Sequence, residues 1–268
     1  AWMILLAAFG VFVFLEISIP WTANYILHHA TTPMTAQLEP TVGTVLLYTS
    51  SGAEPIAVTS ARDDIPQGSR LVTTGAATQG VLGLSAWPQS SQSIGTVHLY
   101  PGTTLSVLRF QQPRFQSSRE PYTVRLRLEA GRIRIFTNSG DERALVVRVD
   151  LPQGYAVLSE GSYNFSVQGE RSELSVSQGE AHLIHASGAE LVVGPGLRTW
   201  MEGNNPPTEA ISAERNLIRS GDFSQPLLEE WEVYSEAPYV AAGSIEVGEQ
   251  DGRRLAHFVR LGEDGVHT

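Results

Sequence analysis

Four arginines are the side chains whose type and spacing point most clearly to chemistry. They alternate with apolar residues on either side of a Glu-Ala-Gly connection at 129–131, and they are Arg125, Arg127, Arg132 and Arg134. Successive side chains of a strand point to opposite faces, so each run would carry its arginines on one face. The Gly-containing connection suits a hairpin, which would place all four guanidinium groups on one exposed face. Since guanidinium groups pair with carboxylates, the two interpretations are a solvated face paired to nearby Asp and Glu, or a docking surface for an acidic partner.

The histidines have poor spacing for a metal site. His28 and His29 are adjacent and follow an apolar segment, which is more typical of a membrane interface than of metal ligands. His182 and His185 are three residues apart on a predicted strand, so they would lie on opposite faces and form a poor chelate. We therefore predict no metal ion and no cofactor.

Composition and motifs argue against an enzyme and against nucleic acid. The sequence contains no Gly-x-Ser-x-Gly elbow, His-Glu-x-x-His pair, P-loop or dinucleotide-binding glycine motif. The absence of cysteine excludes disulfides, thiolate metal sites and a cysteine nucleophile. A net charge of −10 and a pI near 5.2 disfavour nucleic acid as a partner. We predict a protein that works by making contacts, with no catalytic residue.

The elements that must position these residues are strands. Apolar residues alternate in short runs broken by Gly, Pro and Ser from position 42 onward, which is the period of a strand. The predicted strands are Val42–Thr49, Pro55–Thr59, Arg70–Thr74, Thr78–Leu84, Thr96–Tyr100, Thr104–Phe110, Tyr122–Leu128, Arg132–Thr137, Ala144–Val149, Tyr155–Ser159, Ser162–Val167, Glu173–Ser177, Glu180–His185, Glu190–Val193 and Leu197–Met201. The chain is therefore predicted to be mainly β, as a β-sandwich, barrel or short β-roll. We predict no helix after the first 27 residues.

Residues 1–27 are predicted to be a transmembrane helix. The first fifteen residues carry no charged or polar side chain, and a bilayer core about 30 Å thick requires roughly 20 apolar residues. We predict that Glu16, Trp21 and Tyr25 lie at the membrane interface, because a charge costs about 3 kcal/mol at the centre of a span and little at its end, and aromatic residues favour the headgroup level. This placement makes 1–27 the outer part of a span that would begin upstream. The alternatives are a cleaved signal peptide for the segment and a functional intramembrane carboxylate for Glu16.

The charge distribution predicts the sidedness of the chain. No Lys or Arg occurs from Ile26 to Ala61, whereas cytoplasmic flanks of membrane helices are enriched in both. We therefore expect a single-pass protein of the cell membrane whose β domains lie on the extracytoplasmic side. Residues 28–41 are predicted to be a juxtamembrane linker.

The order of seven strand-turn-strand motifs resembles a FecR-like domain. The motifs are Val42-Gly-Thr-Val-Leu-Leu-Tyr, Ile65-Pro-Gln-Gly-Ser-Arg-Leu-Val-Thr-Thr-Gly-Ala, Gly95-Thr-Val-His-Leu-Tyr-Pro-Gly-Thr-Thr-Leu, Leu128-Glu-Ala-Gly-Arg-Ile-Arg-Ile, Leu158-Ser-Glu-Gly-Ser-Tyr-Asn-Phe-Ser-Val, Val176-Ser-Gln-Gly-Glu-Ala and Val193-Gly-Pro-Gly-Leu-Arg-Thr. The resemblance covers residues 42–202. It implies an extracytoplasmic all-β module next to a single membrane helix, in envelope signalling by way of a cytoplasmic anti-sigma segment. Positive φ is expected at the turn glycines, which are Gly68, Gly75, Gly102, Gly131, Gly161, Gly179 and Gly196.

A second unit is predicted after a polar, Pro-containing linker at 203–215. The motifs Asn216-Leu-Ile-Arg-Ser-Gly-Asp-Phe-Ser-Gln-Pro-Leu and Trp231-Glu-Val-Tyr resemble the opening of a carbohydrate-binding-module or galactose-binding-like jelly roll. Residues 216–268 are therefore expected to be an incomplete jelly-roll-like domain. Trp231, Tyr234 and Tyr239 are candidates for stacking on sugar rings, the alternative for the tryptophan being a place in the core.

Three functions remain open from the sequence. The first is a non-enzymatic, FecR-like interaction protein in envelope signalling or scaffolding. The second is a structural accessory subunit, whose helix packs in a larger membrane complex while the β domains cap it outside. The third is binding of cell-envelope carbohydrate by the C-terminal module. The expected partners are accordingly membrane lipid, other proteins and a glycan.

Overall fold

The computed structural model describes residues 2–49, 52, 54–86, 93–138, 143–213, 244–250, 253–262 and 265–267. It divides the chain into two compact units, residues 1–213 and 214–268. In the described part of the first unit, the regular elements are one helix followed by strands. These elements are α1 (Trp2–His29), β1 (Thr31–Pro33), β2 (Thr35–Val42), β3 (Val45–Tyr48), β4 (Ile56–Val58), β5 (Arg70–Thr73), β6 (Gln79–Ser85), β7 (Ser93–Leu99), β8 (Thr104–Pro113), β9 (Tyr122–Thr137), β10 (Leu145–Leu151), β11 (Gly154–Leu158), β12 (Gly161–Gln168), β13 (Arg171–Gln178), β14 (Ala181–His185), β15 (Glu190–Val193), β16 (Leu197–Glu202) and β17 (Ile211–Ser212). The predicted class, mainly β with an apolar N-terminal helix, is confirmed.

Helix α1 is long and apolar enough to cross a membrane. Its 28 residues extend about 42 Å at 1.5 Å per residue, against a hydrocarbon core of about 30 Å. None of its side chains is buried in the protein. Among the described helices and strands, α1 alone passes this test of length and composition. Pro20 lies inside the helix, a position that membrane helices tolerate.

The β domain of the first unit is a sandwich of two sheets. Sheet A has the strand order β4-β3-β5-β8-β9-β10-β11-β14-β15, with β1 beside the far end of β8. Sheet B has the order β2-β6-β7-β9-β12-β13-β16-β17. Strand β10 runs parallel to β9, and every other pairing among the described strands is antiparallel. The inward-facing apolar side chains of both sheets form one core cluster.

Strand β9 belongs to both sheets, so the predicted hairpin is wrong. Its first half pairs with β8 and β10 in sheet A, and its second half pairs with β7 and β12 in sheet B. The chain crosses between the sheets at Gly131, whose φ is +90°. The inward face shifts from Leu128 to Ile133 across this point, and both side chains are fully buried. The local pattern is that of a turn, but the two halves of β9 pair with different strands and not with each other.

Buried threonine hydroxyls hold the crossing in place. The Thr103 hydroxyl donates to the Arg132 carbonyl at 2.8 Å and accepts the Arg132 N–H at 3.0 Å. The Thr73 hydroxyl donates to the Tyr100 carbonyl at 2.7 Å and accepts the Thr103 N–H at 2.8 Å. These bonds satisfy backbone groups that the bend removes from the strand ladder, as buried polar groups require. A Cβ at Gly131 would lie 2.4 Å from the Thr103 Cα.

The predicted linker at 28–41 is wrong as well. The helix continues to His29, and Thr31–Pro33 and Thr35–Val42 form strands β1 and β2. Met34, directly before β2, is 6% exposed, and Ala36 and Leu38 within β2 are 1% and 0% exposed, so alternate residues enter the core. Proline at two positions concealed this alternation, and β2 accommodates its proline because it is an edge strand of sheet B.

The other predicted strands and the turn glycines agree with the structure. Each other predicted strand overlaps an observed strand, and no helix occurs in the described part of the chain after His29. All seven glycines expected to have positive φ have it. The predicted linker at 203–215 is irregular over 205–210, but Ile211–Ser212 adds strand β17 to the edge of sheet B.

The second unit is described only over its C-terminal strands. Strands β18 (Ser244–Gln250), β19 (Arg253–Gly262) and β20 (Gly265–His267) form an antiparallel meander. A meander of this size does not test the jelly-roll prediction.

Replacing Gly131 with alanine should destabilise the β domain far more than the same change at Gly188. Gly188 has nearly the same φ, +88° against +90°, but a Cβ there would meet no atom within 4 Å. We expect Gly188→Ala to cost about 1–2 kcal/mol from backbone strain. Gly131→Ala adds a clash with backbone and should cost more than about 3 kcal/mol. Denaturant unfolding of the full chain in detergent, followed by circular dichroism, measures both; equal losses would contradict the crossing.

Candidate functional site

The four predicted docking arginines lie on two surfaces rather than one. Arg125 and Arg127 are on the outer face of sheet A, while Arg132 and Arg134 are on the outer face of sheet B. The crossing of β9 at Gly131 separates the pairs, because the two halves of the strand join different sheets. The expectation of a single four-arginine face is therefore wrong.

On sheet A the two arginines join others that the sequence did not single out. Arg109 on β8 lies opposite Arg125, and Arg148 on β10 lies opposite Arg125 on the other side. This register gives a row of three arginines across three neighbouring strands. Arg127 is two residues further along β9, and Ser106 separates it from Arg70 on β5. We call these five residues the sheet A arginine face: Arg70, Arg109, Arg125, Arg127 and Arg148.

Two carboxylates bind part of this face. Asp150 accepts hydrogen bonds from Arg125 Nε and Arg148 Nε, each at 2.8 Å, and its side chain is only 11% exposed. Glu129 accepts a hydrogen bond from Arg70 Nη2 at 2.7 Å. The Arg148 guanidinium also lies 3.6 Å from the ring centroid of Tyr155.

Two arginines of the face are left without a carboxylate. Arg109 and Arg127 are exposed, and neither forms an ion pair within the described part of the chain. Five arginines and two bound carboxylates give the sheet A arginine face a formal charge of +3. This contrasts with the net charge of −10 of the whole chain.

The arginines of sheet B stack on aromatic rings instead. Arg132 lies 4.2 Å from the centroid of Tyr100, and Arg134 lies 4.4 Å from the centroid of Phe136. His98 meets Phe136 edge to face at 5.4 Å. Cation–π contacts of this kind hold the guanidinium groups against the aromatic rings.

Burial and the neighbouring charge of Arg134 lower the pKa of His98 below its ordinary value of 6.5. His98 on β7 lies opposite Arg134 on β9 in sheet B, so the two side chains are cross-strand neighbours. Its ring is therefore neutral at physiological pH.

The C-terminal end of α1 is bonded to the loop between β8 and β9. The Ser118 hydroxyl donates to the His28 carbonyl, and the Arg114 N–H donates to the Ala30 carbonyl at 2.8 Å. His29 Nδ1 lies 2.9 Å from Glu120 Oε1. Ala30 is the single residue between the helix and β1, and its own N–H continues the helical bonding to Ile26 at 2.9 Å.

One arginine holds this loop against the sandwich. Arg143, just before β10, donates from Nη1 to the carbonyls of Ser118 and Glu120, each at 2.7 Å, and from Nη2 to the Gln116 carbonyl at 3.4 Å. Arg143 could not be singled out from the sequence, because its partners are backbone atoms of a loop distant in sequence. Hydrogen bonds thereby connect the helix end, the loop and the residue next to β10.

An open cavity of about 410 Å³ lies beside this junction. The predicted interface aromatics Trp21 and Tyr25 line it, and with His29 they form a stack on one side of α1, with centroid separations of 6.1 and 4.6 Å. Glu16 is exposed and lies about 20 Å from His29 along the helix axis, as 13 residues at 1.5 Å give. The membrane-interface assignment of Glu16, Trp21 and Tyr25 stays a prediction.

The histidine pair of β14 has the arrangement that the sequence predicted. His182 points outward and is bonded to Glu190 at 2.7 Å and to Glu180 at 3.2 Å. The hydrogen bond to Glu190 is the main cause that raises the pKa of His182. His185 is 6% exposed on the inner face, so the two rings cannot share an ion. The described residues contain no group of three side chains placed to hold a metal.

The three candidate sugar-stacking residues, Trp231, Tyr234 and Tyr239, lie outside the described residues. Sugar binding by the second unit therefore stays a prediction.

Comparisons with known proteins find a likeness in structure only. No family model and no curated protein matches the chain. Two crystal structures of a candidate anti-sigma factor from Parabacteroides distasonis ATCC 8503 align with part of it, at 15% identity with a TM-score of 0.36 and at 14% identity with a TM-score of 0.37. Each alignment covers 55% of this chain and 60% of the other. A likeness of this extent carries no argument about function, which is therefore inferred from contacts within this chain.

Replacing Arg134 with glutamine should raise the pKa of His98 without restoring it to 6.5. Burial is the larger cause of the lowered pKa and remains in the variant, whereas the charge of Arg134 is lost. Arg132→Gln, on the same strand and face, should leave the pKa unchanged. Because the folded pKa is below the unfolded one, the stability from neutral His98 is complete above pH 6.5 and falls as the pH drops towards the folded pKa. NMR titration of the His98 ring measures the shift; an unchanged pKa in Arg134→Gln would contradict the contact.

Proposed function

We propose that this protein is a membrane-anchored, non-enzymatic interaction protein that acts in envelope signalling, with α1 in the bilayer and the sandwich on the extracytoplasmic side. The observation that carries the proposal is the direct junction between α1 and the β domain. A single residue, Ala30, separates the helix from β1. A partner that displaces the sandwich would therefore displace the helix with it.

The contacts around the junction support this coupling. The end of the helix is bonded at the His28 and Ala30 carbonyls and at the His29 ring. Arg143 ties the loop that makes these bonds to the start of β10, and β1 pairs with β8. Packed elements with fixed hydrogen bonds transmit displacement, whereas a flexible linker would absorb it.

The surface of α1 supports an anchor. All of its side chains are at least partly exposed, and they are overwhelmingly apolar. A continuous apolar surface of this size on a soluble protein would be an aggregation hazard, but in a bilayer it is matched to its solvent. The lack of Lys and Arg between Ile26 and Ala61 supports the outward placement of the sandwich.

Cysteine labelling tests the anchor and its sidedness together. Because the chain has no cysteine, Gln168→Cys introduces a unique thiol at an exposed position, and Val167→Cys is a matched control whose side chain is 2% exposed. We expect a membrane-impermeant maleimide to label Gln168→Cys on intact cells, and Val167→Cys only after denaturation. The protein should also remain in the membrane after alkaline carbonate extraction.

Two results would overturn the proposal. Release of the protein by carbonate would exclude α1 as an anchor. Labelling of Gln168→Cys only after the cells are permeabilised would place the sandwich on the cytoplasmic side.

A further inference from the structure

The sheet A arginine face has a charge pattern that works against its own stability. Arg109, Arg125 and Arg148 are direct cross-strand neighbours on β8, β9 and β10. Like charges directly opposite each other on neighbouring strands are destabilising. Asp150 relieves the repulsion between Arg125 and Arg148. It lies opposite Arg127 on β10, but none of the described carboxylates forms an ion pair with Arg109 or Arg127.

We infer that the sheet A arginine face binds a short acidic polypeptide segment of a partner protein. The inference goes beyond the proposed function by assigning the surface and the chemistry of the partner, and it rests on that function only in taking this chain to be an interaction protein. Charge complementarity carries it, since a surface with formal charge +3 stands on a chain of net charge −10.

The spacing of the guanidinium groups matches an extended peptide. Arg125 and Arg127 are alternate residues of one strand, so their side chains repeat at about 6.6–6.8 Å. Carboxylates at alternate residues of an extended segment repeat at the same distance. Arg109 and Arg148 lie one strand away on either side of Arg125, at about 4.8 Å. A peptide lying along β9 would thus meet Arg125 with an arginine on either side of it, and then Arg127 between Ser106 and Asp150. Guanidinium groups pair with carboxylates in bidentate fashion.

Asp150 and Tyr155 prepare part of the face in advance. The carboxylate of Asp150 receives both Arg125 and Arg148 through Nε, which leaves their terminal Nη groups for a ligand. Tyr155 holds the Arg148 guanidinium from below at 3.6 Å. Fixing these side chains reduces the rotamer entropy that binding would otherwise remove. Arg109 and Arg127 supply the unpaired charge.

The acidity of the rest of the chain selects a short ligand. Long polyanions and extended anionic surfaces would meet the negative charge of the whole protein as well as the arginine face. A short acidic segment would contact only the face itself. A short acidic segment of a partner protein is therefore the ligand that best matches this distribution of charge.

A peptide-binding measurement on the full chain in detergent tests the inference. The probe is a fluorescein-labelled peptide in which Glu alternates with Ser, and the control peptide carries Gln in place of Glu. The test variant is Arg109→Gln with Arg127→Gln, which removes the two arginines without ion pairs and so leaves the internal bonds of the face intact. The matched control is Arg132→Gln, because Arg132 lies on the same strand β9 and is also exposed, but faces outward from sheet B.

We expect the Glu peptide to bind more tightly than the Gln peptide, in a manner that weakens at high salt. The double variant should bind about tenfold more weakly, because it loses two exposed charge pairs whose combined contribution would be about 1.4 kcal/mol. Arg132→Gln should change the affinity less than about twofold. The peptide measurement needs no membrane, so its result is independent of the cysteine labelling. Either the peptide-binding inference or the proposed membrane anchor can therefore be contradicted while the other holds.

Three results would overturn the inference. The first is absence of binding by the Glu peptide. The second is a loss of affinity in Arg132→Gln as large as that in the double variant, which would mean that the peptide is attracted to any exposed arginine of the protein. The third is a preference for vesicles containing anionic phospholipid over the peptide, lost in the same double variant, which would assign the face to the membrane surface instead.

Discussion

The passage of one strand, β9, through both sheets is the constraint on which the rest of this structure depends. The strand pairs with four others, β7, β8, β10 and β12, so the two layers of the sandwich share a continuous backbone. The crossing requires a residue without a Cβ at Gly131, where the Thr103 backbone approaches too closely for any side chain. The Thr103 hydroxyl then bonds the backbone of Arg132 and completes the hydrogen bonding that the bend interrupts.

The crossing also determines where the charge of the domain is displayed. Arginines that are neighbours in sequence lie on opposite sides of the sandwich, so each face acquires its own chemistry. On sheet A, arginines lie side by side on adjacent strands with few carboxylates between them. On sheet B, the arginines make cation–π contacts with aromatic rings. The helix enters at one edge of this arrangement, where the loop held by Arg143 connects it to the sandwich. Under the proposed function, a contact on the sandwich would reach the helix through the hydrogen bonds of this loop.

The strands could be predicted from the sequence because apolar residues alternate in them with a period of two residues. The turn glycines could be predicted because positive φ favours glycine. The sequence could not distinguish a hairpin from a crossing at Gly131, since both need a flexible glycine between alternating runs, and only the partners of each half decide. The wrong prediction of a linker at 28–41 could have been avoided from the sequence, because the apolar residues Met34, Ala36 and Leu38 alternate there, and all three are buried. Only part of the sheet A arginine face could be predicted from the sequence. Arg125 and Arg127 alternate in one run, but the arrival of Arg109 and Arg148 beside them depends on register across strands, which no local pattern contains.

The distance between α1 and the sandwich tests most directly whether the two move as one body, as the proposed function requires. Two nitroxide labels, at Ile19→Cys on α1 and Gln168→Cys on β12, can be placed without interference because the chain has no other thiol. Double electron–electron resonance on the full chain in lipid nanodiscs should give one narrow distance distribution. Inserting Gly-Ser-Gly between Ala30 and Thr31 should broaden it. A distribution that is already broad in the uninterrupted chain, and unchanged by the insertion, would contradict the account.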